Sequence, residues 1–124
     1  SEGSDVVAGL GLTSQFVGYE QLESTASVTG LVTEAGIQDS LEVGSEGMVV
    51  LDQTPFYAES GGQICDQGWL RNDQGAEFQV RDTRKQGDSI VHIDELQVGS
   101  LKEGDTLLAA VDKSRRQATV LNHS

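Results

Sequence analysis

The chain has 124 residues and a formal net charge of −12 at pH 7; 36% of its residues are hydrophobic and 15 are glycine. This length suits one domain with a single core, and no run reaches the roughly 18 apolar residues that a membrane helix needs. No secretory signal is visible at the start, and a single cysteine cannot form an internal disulfide, which fits a reducing compartment. These features argue against a membrane protein and a disulfide-stapled secreted scaffold.

The charge is uneven along the chain. Residues 1–70 carry eleven acidic residues and no basic one, whereas residues 71–124 carry nine acidic and eight basic residues. A protein that binds nucleic acid by itself needs a basic footprint. Only two small groups of cations are present: Arg81, Arg84 and Lys85, and then Lys113, Arg115 and Arg116. Either the surface is an ordinary solvated acidic one, or nucleic acid touches only the second half with help from another domain.

The first half of the chain predicts a linker followed by strands. Residues 1–12 are small, polar and Gly-rich, as in a linker or a tag. Residues 16–22 indicate a short strand or an entry turn. Residues 24–34 alternate and are rich in β-branched residues, which predicts a strand with a bulge at Gly30. The apolar run in residues 46–54 predicts a strand that is covered on both faces.

The second half continues in the same manner. Residues 68–85 predict a hairpin that turns at Asn72–Gly75. A strand over 88–96, a double turn over 98–105 and a last strand over 106–112 follow. Short strands separated by Gly-rich turns every 8–12 residues favour a mainly β fold, a small antiparallel barrel of about six strands. A β-sandwich is the alternative.

The pattern changes after residue 112. Apolar residues at 118, 120 and 121, after a cap at Asp112 or Ser114, predict the start of a helix. Neither a glycine nor a proline ends this helix, so we expect the chain to continue in a longer protein.

The residues that could carry chemistry are few. Gly61 and Gly62 can adopt positive φ and admit close approach, so their N–H groups could face a small polar ligand that Gln63 helps to orient. The alternative is a glycine turn followed by a surface amide. His123, one residue before the end, would form a metal pair only if a second histidine followed four residues later on the same helix face.

Four further side chains favour structural roles. His92 lies in a predicted strand without ligand spacing, which indicates a partly buried or surface imidazole. Cys65 has no metal partner nearby and indicates packing rather than a nucleophile. Trp69 and Phe78 alternate with polar residues, which favours core positions over a base-stacking platform.

Several motifs together resemble the editing region of alanyl-tRNA synthetase. The colinear stretches are VVLDQTPFYAESGGQICDQGWL, VRDTRKQGDSIVHIDEL, LKEGD and VDKSRRQATVLNHS, with a weaker match in FVGYEQL. The string FYAESGGQ is far more specific than GGQ alone. Free-standing proteins that deacylate mischarged tRNA share the FY…SGGQ and helix-start motifs and are the close alternative.

The resemblance implies a translation-protein type of barrel that precedes a zinc-containing editing core. It divides the chain into a linker (1–12), the barrel (13–112) and the truncated start of the zinc core (113–124). His123 matches the first of four zinc ligands, and the other three would lie beyond the chain. Because a catalytic zinc needs about three protein ligands, we do not expect this fragment to hold the metal.

The glycine-rich loop would face the editing pocket, and this role is carried to Gly61, Gly62 and Gln63. Cys65 departs from the family, where a small residue, commonly glycine, is expected. A cysteine there would make the loop slightly stiffer.

The resemblance implies that the parent protein ligates alanine to tRNA-Ala with ATP and magnesium. This segment would belong to the region that hydrolyses Ser-tRNA-Ala and Gly-tRNA-Ala, inactive in isolation. A second site is needed because an alanine pocket cannot exclude glycine by size, and differences of about 1–3 kcal/mol reject serine poorly. We expect a cytoplasmic protein that engages neither membrane nor DNA. A free-standing deacylase and a non-catalytic binding barrel are the alternatives.

Overall fold

The computed structural model describes Val7, residues 9–58 and residues 66–112. Within these residues the chain forms twelve β-strands joined mainly by turns. The strands are β1 (Gln15–Phe16), β2 (Glu23–Thr33), β3 (Gly36–Gln38), β4 (Ser40–Glu42), β5 (Glu46–Leu51), β6 (Gln53–Thr54), β7 (Gly68–Asn72), β8 (Glu77–Val80), β9 (Asp82–Gln86), β10 (Ser89–Val98), β11 (Ser100–Lys102) and β12 (Thr106–Val111).

Six of these strands close into a barrel. The order is β12-β7-β8-β10-β5-β2, and β12 pairs with β2 to complete the ring. Every pair around the ring is antiparallel. The predicted six-stranded antiparallel barrel is therefore confirmed, and the β-sandwich alternative is wrong, because one closed sheet replaces two packed sheets.

The barrel interior is filled by side chains that alternate along the strands. Strand β2 shows the period of two expected when one face of a strand points inward. The inward residues form one apolar cluster: Ala26, Val28, Leu31, Leu41, Val49, Leu51, Phe56, Leu70, Ala76, Phe78, Val80, Leu96, Leu101, Leu107, Ala109 and Val111. The interior is thus a packed core and not a ligand cavity.

Phe78 and Trp69, both predicted to be core residues, have different positions. Phe78 is fully buried in the barrel interior, as predicted. Trp69 is only partly buried, because its neighbour Leu70 points inward and alternation turns Trp69 outward. The guanidinium carbon of Arg71 lies 5.2 Å from the Trp69 ring centroid, a cation–π contact. The core prediction was wrong for Trp69.

A second apolar cluster lies outside the barrel wall. Val32, Val50 and Val91 from β2, β5 and β10 pack together with Val7, and Leu10, Leu12, Met48 and Ile93 adjoin them. Because Val49 and Leu51 face the interior while Val50 faces this cluster, both faces of β5 are covered, as predicted.

The second cluster also bears on the segment predicted to be a linker. Within residues 1–12, Val7 is fully buried and Leu10 and Leu12 pack against the outer barrel wall. The Ser89 hydroxyl donates to the Leu12 carbonyl at 2.7 Å, which ties this segment to β10. This part of the segment therefore packs as a layer of the barrel. The division of the chain at residues 12 and 113 stays a prediction, and the predicted helix lies outside the described residues.

Two local predictions are confirmed, although the hairpin predicted over 68–85 ends at Val80 and β9 beyond it pairs with β10. The β2–β5 register shifts between Val28 and Gly30, which is the predicted bulge. The β7–β8 hairpin turns at Asn72–Gly75, where Asn72 Oδ1 accepts from the N–H groups of Gln74 and Ala76. Gly75 has φ +92°, a conformation that favours glycine.

The shortest strands were predicted only in part. In residues 16–22 the short strand and the entry turn both occur, since Phe16 ends β1, which pairs in parallel with β6, and a turn follows at Gly18 and Tyr19. The predicted double turn over 98–105 contains β11 between its turns, and β11 pairs with β4. Strands of two or three residues are too short for alternation to reveal them.

Candidate functional site

The candidate site is the glycine-rich loop predicted at Gly61, Gly62 and Gln63. These residues, Cys65 and His123 lie outside the described residues. The structure does describe the residues on both sides of the loop. We call residues 54–57 together with Asp66 the loop stem.

The two ends of the stem bond to each other. The Tyr57 N–H donates to Asp66 Oδ2 at 2.8 Å, and the Asp66 N–H donates to the Tyr57 carbonyl at 3.0 Å. Asp66 is 3% exposed. The Thr83 hydroxyl, which is fully buried on β9, donates to the Asp66 carbonyl at 2.8 Å. The second end of the loop is therefore hydrogen-bonded to β9, which pairs with the barrel strand β10.

The first end of the stem is held by His92. Its Nδ1 lies 2.8 Å from the Val49 carbonyl, and its Nε2 lies 2.8 Å from Thr54 Oγ1. Because a carbonyl only accepts, Nδ1 carries the proton, and Nε2 of the neutral ring accepts from the Thr54 hydroxyl. Thr54 Oγ1 in turn accepts from the Phe56 N–H at 3.1 Å.

His92 is more deeply placed than predicted. The prediction of a partly buried or surface imidazole is wrong, since the residue has no exposed surface. Strands β5 and β9 flank β10 on both sides at this position, and the Phe56 ring packs edge-on at 5.1 Å. Burial lowers the pKa of His92 from 6.5 to about 4, although the bond to the Val49 carbonyl acts in the opposite direction. The ring is therefore neutral at pH 7, with both nitrogens engaged inside the protein.

Aromatic rings line the outer side of the stem. Phe16 packs edge-on against Tyr57 at 5.8 Å and against Tyr19 at 4.8 Å. A Cβ atom at Gly18 would overlap the Pro55 carbonyl oxygen and the Phe16 ring, so glycine permits this close approach. Tyr57 is 40% exposed and Tyr19 is 88% exposed. Tyr57 of the stem and the neighbouring Tyr19 are thus both partly exposed to solvent.

The three described arginines each lie beside a carboxylate. Arg84 Nε lies 2.8 Å from Asp82 Oδ2, and Arg71 Nε lies 3.1 Å from Glu77 Oε1. Arg81 Nε lies 3.0 Å from Asp94 Oδ2 without the alignment of a hydrogen bond. Of the two groups of cations in the sequence, Lys113, Arg115 and Arg116 lie outside the described residues. Each described arginine faces a carboxylate, which favours the ordinary acidic surface.

Sequence reasoning missed the polar residues that hold the stem. Thr54, Asp66 and Thr83 stand at no recognisable spacing, and their relation to His92 depends on strand pairing. The one local signal is that Thr54 and Asp66 flank the apolar and glycine-rich stretch on either side.

The comparisons identify the family. Residues 2–115 match the model of the family described as tRNA synthetases class II (A), so the chain belongs to that family. Two relatives, from Halorhodospira halophila and Haemophilus influenzae, are each 50% identical over 111 residues and are named alanine–tRNA ligase. These relatives confirm the resemblance to alanyl-tRNA synthetase. The match covers 90% of this chain but 13% of each relative, so the chain spans a small part of their length.

Among the described residues, no helix has the length and hydropathy to cross a membrane.

Proposed function

We propose that this chain is the barrel of the editing region of an alanyl-tRNA synthetase, where it supplies one wall of the pocket that hydrolyses Ser-tRNA-Ala and Gly-tRNA-Ala. The observation that carries the proposal is the tethering of both ends of the glycine-rich loop by buried polar groups. The alanine–tRNA ligase relatives support the substrate class. The parent protein would ligate alanine to tRNA-Ala with ATP and magnesium in a separate region, in the cytoplasm.

The chemistry of selection supports a second site. Serine and glycine are too close to alanine for one pocket to reject, because such differences are worth about 1–3 kcal/mol. A loop with two adjacent glycines can bring backbone N–H groups close to a small hydroxylated aminoacyl group. Gln63 would orient that group through its side-chain amide.

Zinc does not fit the described residues. No group of three or more His, Cys, Asp or Glu in the described ranges could hold a metal ion. In the proposal His123 contributes one ligand and the remaining ligands come from outside this chain, so the barrel alone is inactive.

Two alternatives are a free-standing deacylase and a non-catalytic binding barrel, and the experiment below tests the second. A free-standing deacylase would share the loop, but the relatives are far longer than this chain and support the synthetase. A non-catalytic binding barrel is supported by the engagement of both His92 nitrogens, which leaves that ring unsuited to act as a base.

The experiment compares Ser-tRNA-Ala hydrolysis by this chain and by a longer chain that carries the zinc core, each with added zinc and with a chelator. We expect hydrolysis only by the longer, zinc-loaded chain. Gln63→Ala should lower that rate, whereas Gln74→Ala, a matched change in the exposed Asn72–Gly75 turn, should not. A folded, zinc-loaded long chain without hydrolysis would refute the editing role and leave the barrel as a binding or docking module.

A further inference from the structure

We infer that the Thr83–His92 pair holds both ends of the glycine-rich loop at a set separation and that its members, with Thr54, are positioning residues for the loop. The inference rests on the proposed function for its catalytic consequence. Thr83 and His92 lie directly opposite each other in the antiparallel β9–β10 pair. Side chains at directly opposite positions project from the same face of a sheet.

Each member of the pair bonds to a different end of the loop. His92 accepts from the Thr54 hydroxyl on the first end at 2.8 Å. Thr83 donates to the Asp66 carbonyl on the second end at 2.8 Å. The Thr83–His92 pair therefore fixes Thr54 and Asp66, which lie twelve residues apart along the chain.

The Thr83–His92 pair is itself hydrogen-bonded to a strand of the barrel. His92 also lies directly opposite Val49 on β5, and its Nδ1–H donates to the Val49 carbonyl at 2.8 Å. Val49 is fully buried in the main core. A continuous series of hydrogen bonds thus runs from a core strand through His92 and Thr54 to the Phe56 N–H.

Because these hydrogen bonds are buried, they restrict the movement of the loop stem. Thr54, Thr83 and His92 have no exposed surface. A buried donor or acceptor that loses its partner cannot turn to water, so a displaced stem would leave unpaired groups. Two adjacent glycines do not define their own backbone conformation. The bonds at the two ends therefore restrict where the loop begins and where it ends.

Under the proposed function, the rate of ester hydrolysis depends on where the loop is positioned. A misplacement of about 1 Å can lower a reaction rate by about 100-fold without any loss of a reacting group. A purely stabilising role predicts that removing a hydroxyl lowers stability, because a buried partner is left unpaired, but leaves kcat of the folded protein unchanged. The distinction can be measured with isosteric variants.

The test uses a full-length alanine–tRNA ligase that carries this chain. Thr54→Val and Thr83→Val each remove one hydroxyl and keep the shape of the side chain. Thr54→Ser and Thr83→Ser keep the hydroxyl and remove only a methyl group. Ser89→Ala is the matched control, because Ser89 is 1% exposed and its hydroxyl donates to the Leu12 carbonyl at the far end of the same hairpin. The readouts are kcat and KM for Ser-tRNA-Ala hydrolysis, and aminoacylation by the same preparation.

We expect each valine variant to lower kcat for hydrolysis by about 10-fold or more with little change in KM, since displaced rather than missing groups cause the defect. Aminoacylation should be unchanged. The serine variants should return kcat to within about 3-fold of the unmodified protein, and Ser89→Ala should leave it unchanged. Hydrogen exchange at the Tyr57 and Asp66 amides of the 124-residue chain should be faster in both valine variants.

The outcomes separate the two proposals. Unmodified protein that does not hydrolyse Ser-tRNA-Ala refutes the proposed function and this role with it. Active unmodified protein, together with folded valine variants of unchanged kcat, overturns the positioning role alone. An equal loss of kcat in Ser89→Ala would also overturn it, because the loss would then follow from removing any buried hydroxyl of this hairpin and not from the loop stem. Should a valine variant fail to fold, His92→Gln carries the test, because the glutamine amide oxygen can still accept near the Nε2 position. A folded His92→Gln protein should keep kcat within about 3-fold of the unmodified protein, and a larger loss would overturn the role of this hydrogen bond.

Discussion

Tyr57 and Asp66 are hydrogen-bonded to each other in both directions, at 2.8 and 3.0 Å, and so close the base of the glycine-rich loop. One of the two bonds uses the Asp66 side chain and the other uses only backbone atoms. Substitution of Asp66 therefore removes one closure and leaves the other in place.

The contribution of the Asp66 side chain can be measured. Asp66→Ala should lower the free energy of unfolding by about 1.5–3 kcal/mol, because it leaves the Tyr57 N–H without its carboxylate acceptor. Asp66→Asn keeps an oxygen at the same place and should have a smaller effect. Urea unfolding of the 124-residue chain checks this. Equal losses in both variants would show that the charge, and not the acceptor, stabilises the stem.

His92 predicts a pH dependence of stability. Its pKa is about 4 in the folded protein and 6.5 as a model value, so the unfolded chain binds the extra proton first as pH falls. The stabilisation is present above pH 6.5 and is lost as pH falls from 6.5 towards 4, by about 3 kcal/mol in total.

The comparison that isolates this effect uses His92→Gln, whose side chain does not titrate. The variant should be less stable at pH 7, and the difference from the unmodified chain should shrink as pH falls through this window. Denaturant unfolding at several pH values measures it. Parallel stability curves would contradict the assignment of a buried neutral imidazole.

Gly68 lies where β7 and β12 approach too closely to admit a side chain. A Cβ atom there would overlap the Ala110 carbonyl oxygen on β12, and backbone cannot move aside as a side chain can. Gly68→Ala should lower the free energy of unfolding by about 3 kcal/mol or more. Gly9→Ala is the control, since a Cβ at Gly9 meets nothing within 4 Å. Thermal unfolding distinguishes them, and a stable Gly68→Ala protein would mean that β7 and β12 can separate locally without loss of the fold.

The N-terminal segment should contribute to stability. Leu12 packs on the outer cluster, and its Cδ1 would lie 2.9 Å from a Cβ at Gly30. Leu12→Ala should lower the free energy of unfolding by about 1–3 kcal/mol. Leu108→Ala, at a position that is 41% exposed, should change it by less than about 0.5 kcal/mol. Equal effects would indicate that the segment behaves as the linker that its composition predicts.

Charge predicts weak binding of tRNA by the isolated chain. The net charge of −12 repels phosphate, and each described arginine already lies beside a carboxylate. We expect a dissociation constant weaker than micromolar at physiological salt in a gel-shift titration. Tighter binding would show that cations outside these three ion pairs contact phosphate in spite of the net negative charge.

Local pattern was sufficient for the main strands. Alternation and β-branched residues over 24–34, the apolar run over 46–54 and the Asn72–Gly75 turn each act within one or two strands, so their neighbours in sequence reveal them. The number of such segments was enough to predict a small antiparallel barrel.

The same local reasoning did not reach the site. The predicted Gly61, Gly62 and Gln63 are fragments of a motif, and their role as an editing loop stays a prediction. The residues that hold this loop became visible only when strand register was known, because His92 is separated from Thr54 by 38 positions and Thr83 from Asp66 by 17.

The sequence by itself determined the class of fold, the family resemblance and the place of the glycine-rich loop, because each depends on residues close together in the chain. Only the tertiary structure decided that Trp69 faces outward, that His92 is fully buried and neutral, and that one cross-strand pair holds both ends of the loop. The physical reason is that burial and hydrogen bonding depend on which strands pair and in what register, and a slip of one residue would turn every side chain to the opposite face.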